Sequence, residues 1–303
     1  MTVDDRSAEF HHVPPDPSLG TRVDPVVGPV SDWTTDFSHL EPAYAQHAPE
    51  VWADLRRRCP IAHTDRFGGG WLPTRYEDVA AIAYDTDAFS SRAIIMSNFR
   101  PPLDAAPVGG SPPISSDPPF HHDARKLLLP AFTKSAVSRL EPATREFCAS
   151  LLDGFAGRLA DGGVVDAAAE YAQHIPMRVI ADMLGFPPED GPRFAVFVEN
   201  ALEGINLPPE ERIERGAELF DYLFAQIRDH VAHPREDLTS YLIDAELYGQ
   251  KLEPIHVAGT MALLLIAGID TTWSAIGASI WHLAKTPSDR ERIVADPELL
   301  PMA

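Results

Sequence analysis

Ala267-Gly268-Ile269-Asp270-Thr271-Thr272 places a carboxylate and two hydroxyls directly after the apolar run Leu263-Leu264-Leu265-Ile266. In a helix Thr271 lies one turn beyond Ala267. Its hydroxyl can therefore donate to the Ala267 carbonyl, compete with the backbone ladder, and open or bend the helix at that turn. An opened turn admits water, and Asp270 beside it can carry protons from solvent to a group held over the gap. Ala267 and Gly268 lack bulk, so a large flat ligand can come closer to the backbone there than over leucine or valine. Taken singly, Asp270, Thr271 and Thr272 are more simply the polar face of a helix whose other side is core.

A second constellation is Asp117-Pro118-Pro119-Phe120-His121-His122-Asp123-Ala124-Arg125. Proline near the first turn opens a helix, and His121 and Arg125 then stand at i and i+4 on one face. The arginine fork donates in pairs to a carboxylate and a histidine N–H adds a further bond, so the two can clamp one anion. Without more context a solvated helix surface explains the pair more simply. His122 reads as a surface residue.

The chain that must position these groups has 303 residues, 45% hydrophobic and 23% charged. That is enough to bury a core as one large domain or two smaller ones. Asp and Glu outnumber Lys and Arg by 45 to 25, and a net charge of -20 disfavours nucleic acid or an anionic membrane as a partner. The two cysteines, Cys59 and Cys148, lack the clustering of a zinc site. Cys148 falls in a helical apolar pattern and reads as a small buried side chain. Cys59 follows Arg56-Arg57-Arg58, a setting that a lowered thiol pKa or a plain helix end both account for. With no leader pattern and no disulfide framework, the expected location is the cytoplasm. The apolar run over residues 257–269 is shorter than the roughly 20 residues a membrane span needs and reads as a core helix.

Residues 1–35 carry five prolines among few aliphatics and read as an irregular arm, with 36–303 forming the folded part. Helical spacing runs over 42–59. Two short strands follow at 61–63 and 71–73 around Gly68-Gly69-Gly70, then a short helix over 76–84. Residues 90–116 form a long irregular loop with apolar Ile94, Ile95, Met96 and Phe99. Loops of that length in compact chains are usually functional. Helical patterns then cover 120–132, 134–159, 167–184, 192–201, 210–230, 235–247 and 254–285, punctuated by Pro and Gly. The fold class is mainly α with a small β element in the first hundred residues.

The order Ala267-Gly268-Ile269-Asp270-Thr271-Thr272 resembles the oxygen-activating signature in the central helix of the cytochrome P450 monooxygenases. The Asp117-to-Arg125 segment, followed by Ala131-Phe132-Thr133, is similar to the family's helix that holds a haem propionate. Residues 70–79 with 87–91, residues 179–187 with Glu189-Asp190, and Asp237-Leu238 extend the likeness in order over about 40–303. The resemblance implies the N-terminal and central part of the P450 fold. It implies an enzyme that binds haem b and inserts one atom of O2 into a small, mainly hydrophobic organic substrate. Asp270 and Thr271 would be catalytic, and His121, Arg125, Ala267 and Gly268 would hold the cofactor. Ile94, Ile95, Met96, Phe99, Leu263 and Ile266, with the 199–209 region, would line the substrate pocket. A ferredoxin and its reductase would be the electron donors.

The family's iron-ligating cysteine loop and its Glu-x-x-Arg helix have no counterpart in these 303 residues, and Cys59 and Cys148 match other parts of the pattern. No metal ligand is therefore assigned. The expectation is an incomplete copy of a monooxygenase. The alternative is a haem-free binding or interaction protein that retains the distal half of the fold.

Overall fold

The computed structural model describes residues 21–22, 25–100, 110–204, 207 and 209–302. It is a mainly helical chain of two compact units: residues 1–126, 205–209 and 246–259 in the first, and 127–204, 210–245 and 260–303 in the second.

In unit 1, β1 (Thr21–Arg22) pairs antiparallel with β4 (Phe99–Arg100), so part of the N-terminal arm has regular structure. Helix α1 (Pro42–Arg58) begins with proline in its first turn, where the missing N–H costs no ladder bond. Pro49 within it goes with a non-helical turn at His47. The helix stops at Cys59, ahead of Pro60. Strands β2 (Ile61–Thr64) and β3 (Gly70–Pro73) pair antiparallel from Ile61↔Pro73 to Thr64↔Gly70. Phe37, Val51, Leu55, Ala62 and Leu72 form the core between helix and hairpin, with Trp33, Tyr44, Trp52 and Met96 packed against them. Helix α2 (Tyr76–Tyr84) buries no residue.

Arg66 fixes the main chain of Val26 to Pro29. Its guanidinium donates to the carbonyls of Val26, Gly28 and Pro29 at 2.9–3.2 Å and to the Asp36 carboxylate at 2.5 and 3.1 Å. That hydrogen bond from Arg66 holds the Asp36 carboxyl down from its usual 3.8 to about 2. Helix α3 (Phe120–Leu128) closes the unit: Phe120 and Ala124 are buried against Leu247 and Tyr248.

Unit 2 is built from α4 (Lys134–Ala160), α5 (His174–Leu184), α6 (Gly191–Leu202), α7 (Pro209–Ala232), α8 (Leu238–Asp244), most of α9 (Pro254–Lys285) and α10 (Pro287–Ala295). Thr133 caps α4 by accepting from the Ala136 N–H at 3.3 Å, and Asp237 caps α8 by accepting from Ser240 at 2.7 Å. Helix α5 ends at Gly185 in the left-handed conformation, φ 70°. Phe194, Phe197, Leu223, Leu242, Leu265 and Ile269 are all buried almost completely.

Three expectations need correction. The 167–184 pattern is a π turn over Ala168–Ala172 followed by α5, not one helix. The 235–247 pattern shortens to α8, because Asp237 caps it late and the chain then enters a hairpin. Strands β5 (Glu246–Leu247) and β6 (Gln250–Lys251) turn through Tyr248 and Gly249, both at positive φ, the backbone of a tight two-residue turn. Helix α10 has no counterpart among the expected helices, which end at 285. By length and composition α9 could cross a membrane; half of its most apolar window is buried inside the protein, as in a core helix.

Candidate functional site

Helix α9 carries the acid and the hydroxyls, and its faces differ sharply. Leu265 and Ile269 have no exposed surface and anchor it in unit 2. Ala267 and Thr271, one turn apart, are exposed on the adjoining strip, and Asp270 is half-buried. The Thr271 hydroxyl donates to the Ala267 carbonyl at 2.7 Å. The expected back-bond is therefore present, while the helix runs unbroken from Pro254 to Lys285. The carbonyl that a water would use is occupied by a group that can rotate away. The Asp270 side chain makes no hydrogen bond or ion pair with a described residue.

Gly268 has a different reason for being glycine than ligand approach. A Cβ built there would sit 2.5 Å from Ile180 Cδ1 and 3.0 Å from Cγ1. The space expected over Gly268 is taken by α5, and Ala267 alone keeps the open strip shallow. Leu263 and Ile266 are half-buried on the same helix.

On unit 1, His121 and Arg125 share one face of α3. Arg125 is exposed, His121 half-buried, and neither side chain bonds a described residue. The helix under them is fixed from its other side. Phe120 packs on Tyr248 and His256, with ring centroids 6.5 and 5.4 Å apart, and Asp123 accepts from the Tyr248 hydroxyl at 3.0 Å. The Asp123 carboxyl lies below its ordinary pKa: its hydrogen bonds from Tyr248 and Lys126 outweigh a desolvation that acts the other way and is the largest single influence. A fixed helix presenting an unpaired guanidinium and imidazole is the arrangement an anion clamp requires.

Of the apolar residues expected to line a substrate pocket, Ile94 and Ile95 are about half exposed, at 49% and 46%. Met96 instead packs against the unit 1 core; its place in the sequence loop hid a core contact. The Phe99 side chain and residues 101–109, 205, 206 and 208 lie outside the described residues. Cys59 donates through Sγ to the Ile61 carbonyl at 3.4 Å. Cys148 bonds Tyr171, whose phenol is pushed up, by burial first and then by that bond. A cavity of about 900 Å³ in unit 2, lined by Ala136, Leu140, Met183, Asp237 and Tyr241 among others, includes neither Asp270 nor Thr271. Geometry on α9 therefore weighs more here than cavity size.

No family model matches the chain. Among curated relatives, the methyl-branched lipid omega-hydroxylase of Mycobacterium tuberculosis is 30% identical over 298 residues, covering 92% of this chain and 68% of that protein. The nocardicin C N-oxygenase of Nocardia uniformis subsp. tsuyamanensis is 34% identical over 266 residues, 87% of this chain and 64% of that one. The chain thus spans about two thirds of the length of these relatives. Among solved structures, the Mycobacterium marinum cytochrome P450 CYP268A2 in complex with pseudoionone superposes with a TM-score of 0.71 at 26% identity, over 90% of this chain and 69% of that one. With the back-bonded threonine on its central helix and this likeness along nearly the whole chain, the protein belongs to the cytochrome P450 family.

Proposed function

We propose that this chain forms the oxygen-side part of a haem monooxygenase, one that inserts one atom of O2 into a small, mainly hydrophobic organic substrate. The observation that carries the reading is the Thr271 hydroxyl bonded to the Ala267 carbonyl on an exposed strip beside the buried anchors Leu265 and Ile269. Each unit by itself carries residues that suit a haem: in unit 1, α3 has a guanidinium and an imidazole that could take a propionate, and in unit 2, α9 has a strip with no side chain larger than threonine at 267 and 271. When bound, haem b supplies the iron at which dioxygen is reduced.

What the chain itself contributes is positioning and proton supply. Arg125 and His121 take a carboxylate through charge-assisted bonds. Rotation of the Thr271 side chain exchanges its bond to the Ala267 carbonyl for one to an acceptor over the strip, and frees that carbonyl for water. Asp270, half-buried and without a protein partner, passes protons from solvent towards the same turn. Ile94, Ile95, Leu263 and Ile266 supply apolar surface to the substrate. The relatives' names span a branched lipid and nocardicin C. A ferredoxin and its reductase are the proposed electron donors, and the cytoplasm the proposed location.

The test has two steps. Titration with haem, followed by absorption, should show saturable binding that Arg125→Ala weakens about tenfold, the worth of one charge-assisted bond. Absence of any haem-dependent spectrum would leave the haem-free binding protein as the reading. In the haem-loaded protein, Thr271→Ala should lower product formed per reduced nicotinamide consumed; an unchanged ratio removes Thr271 from proton delivery.

A further inference from the structure

Helix α5 is held at its C-terminal end more firmly than any cap requires. Thr239 donates from its hydroxyl to the Leu184 carbonyl at 2.7 Å, and Arg235 donates to the Gly185 carbonyl at 3.1 Å. A Cβ on Gly185 would overlap the Asp237 carboxylate and stand 2.9 Å from His230 Nε2. Leu184 and Ala181 have no exposed surface. The helix can neither slide towards α8 nor back away from it. One turn before Leu184, Ile180 projects its δ-methyl onto Gly268 of α9, where even one added carbon has no room. At about 100° per residue, Gly268 lies about 60° around α9 from Thr271. The contact thus borders the strip that carries the back-bonded hydroxyl.

We propose that Ile180 is a positioning residue for the Thr271 turn: by filling the space over Gly268, it holds α9 at the rotation that keeps Ala267 and Thr271 on the open strip. Interiors packed this closely transmit a displacement instead of absorbing it. An extra carbon at position 268 therefore turns or lifts α9 at this point, and the loss of the Ile180 side chain lets it roll the other way. The functional weight of this role rests on the Thr271 assignment above; the geometry does not.

The test is a double-mutant cycle on the full chain, read by urea midpoint and by amide hydrogen exchange of residues 271–275. Gly268→Ala should lower the midpoint and speed exchange at those amides about tenfold. Ile180→Val removes the δ-carbon that the new methyl would strike, and in the double variant should return exchange towards the parent value. Ile180→Ala, which adds no bulk, serves if Gly268→Ala does not fold; it should speed exchange at 271–275 by a similar factor. Additive effects in the cycle, or unchanged exchange at 271–275 in Ile180→Ala, overturn the proposal. Neither readout needs haem, so a failed cycle counts against Ile180, whereas a failed Thr271→Ala coupling measurement counts against proton delivery.

Discussion

At the scale of single residues, what was legible depended on how local the interaction is. The Thr271 bond to Ala267 follows from a spacing of four in a helix, and the structure contains it at 2.7 Å. The contact of Ile180 with Gly268 joins residues far apart in sequence through the packing of two helices. No spacing rule reaches it, and Gly268 was accordingly read as room for a ligand. Gly185 is intermediate: Gly185-Phe186-Pro187 announces a helix end, but not that a carboxylate and an imidazole crowd the missing side chain. Gly185→Ala must place a β-carbon at φ 70° and into Asp237. It should cost about 3 kcal/mol or more, measured as a fall in unfolding free energy, since strain at a positive φ adds to overlap. A loss below about 1 kcal/mol would mean that the Asp237 carboxylate moves aside readily.

At the scale of elements, proline and glycine gave most boundaries: helices α1, α2 and α9 run where the periodicity placed them, and the β2–β3 hairpin sits around its glycines. The β5–β6 hairpin escaped notice because Tyr248, at φ 55°, occupies a turn position usually given to Asn or Gly. The pairing of β1 with β4 was equally hidden, since it joins the arm to residues nearly eighty positions away. The turn of the β2–β3 hairpin carries an acid-sensitive tie through Arg66. Asp36 is held at about 2 by Arg66, so its contribution to stability is complete above the ordinary carboxylate value of 3.8. That contribution is lost as pH falls from there through about 2. Trp33 and Trp52 lie in the same core. Their fluorescence should report a loss of unit 1 stability over that interval, and Asp36→Asn should be less stable at neutral pH but flatter across it. Parallel acid curves for the two proteins would contradict the assignment.

At the scale of the molecule, the hydrophobic and helical patterns indicated a mainly α chain, the resemblance of two motifs implied the P450 fold, and the comparisons bear the family out. Division into units was beyond the sequence, because segments 205–209 and 246–259 join the first unit across long stretches of the second. Helix α9 belongs to both, its residues 254–259 with unit 1 and 260–285 with unit 2. Truncating its buried anchor, Leu265→Ala, should lower the stability of unit 2 by about 3 kcal/mol through the cavity left behind, as read by urea unfolding. A change under about 1 kcal/mol would show the site collapsing freely. The grip of Arg66 on the main chain of Val26 to Pro29 has a consequence for variation. It reaches the carbonyl oxygens of Val26, Gly28 and Pro29 within one short stretch of main chain. The path of Val26 to Pro29 is thereby encoded in part at position 66, forty residues downstream of Val26, and in part at Gly28, whose φ of 108° favours glycine.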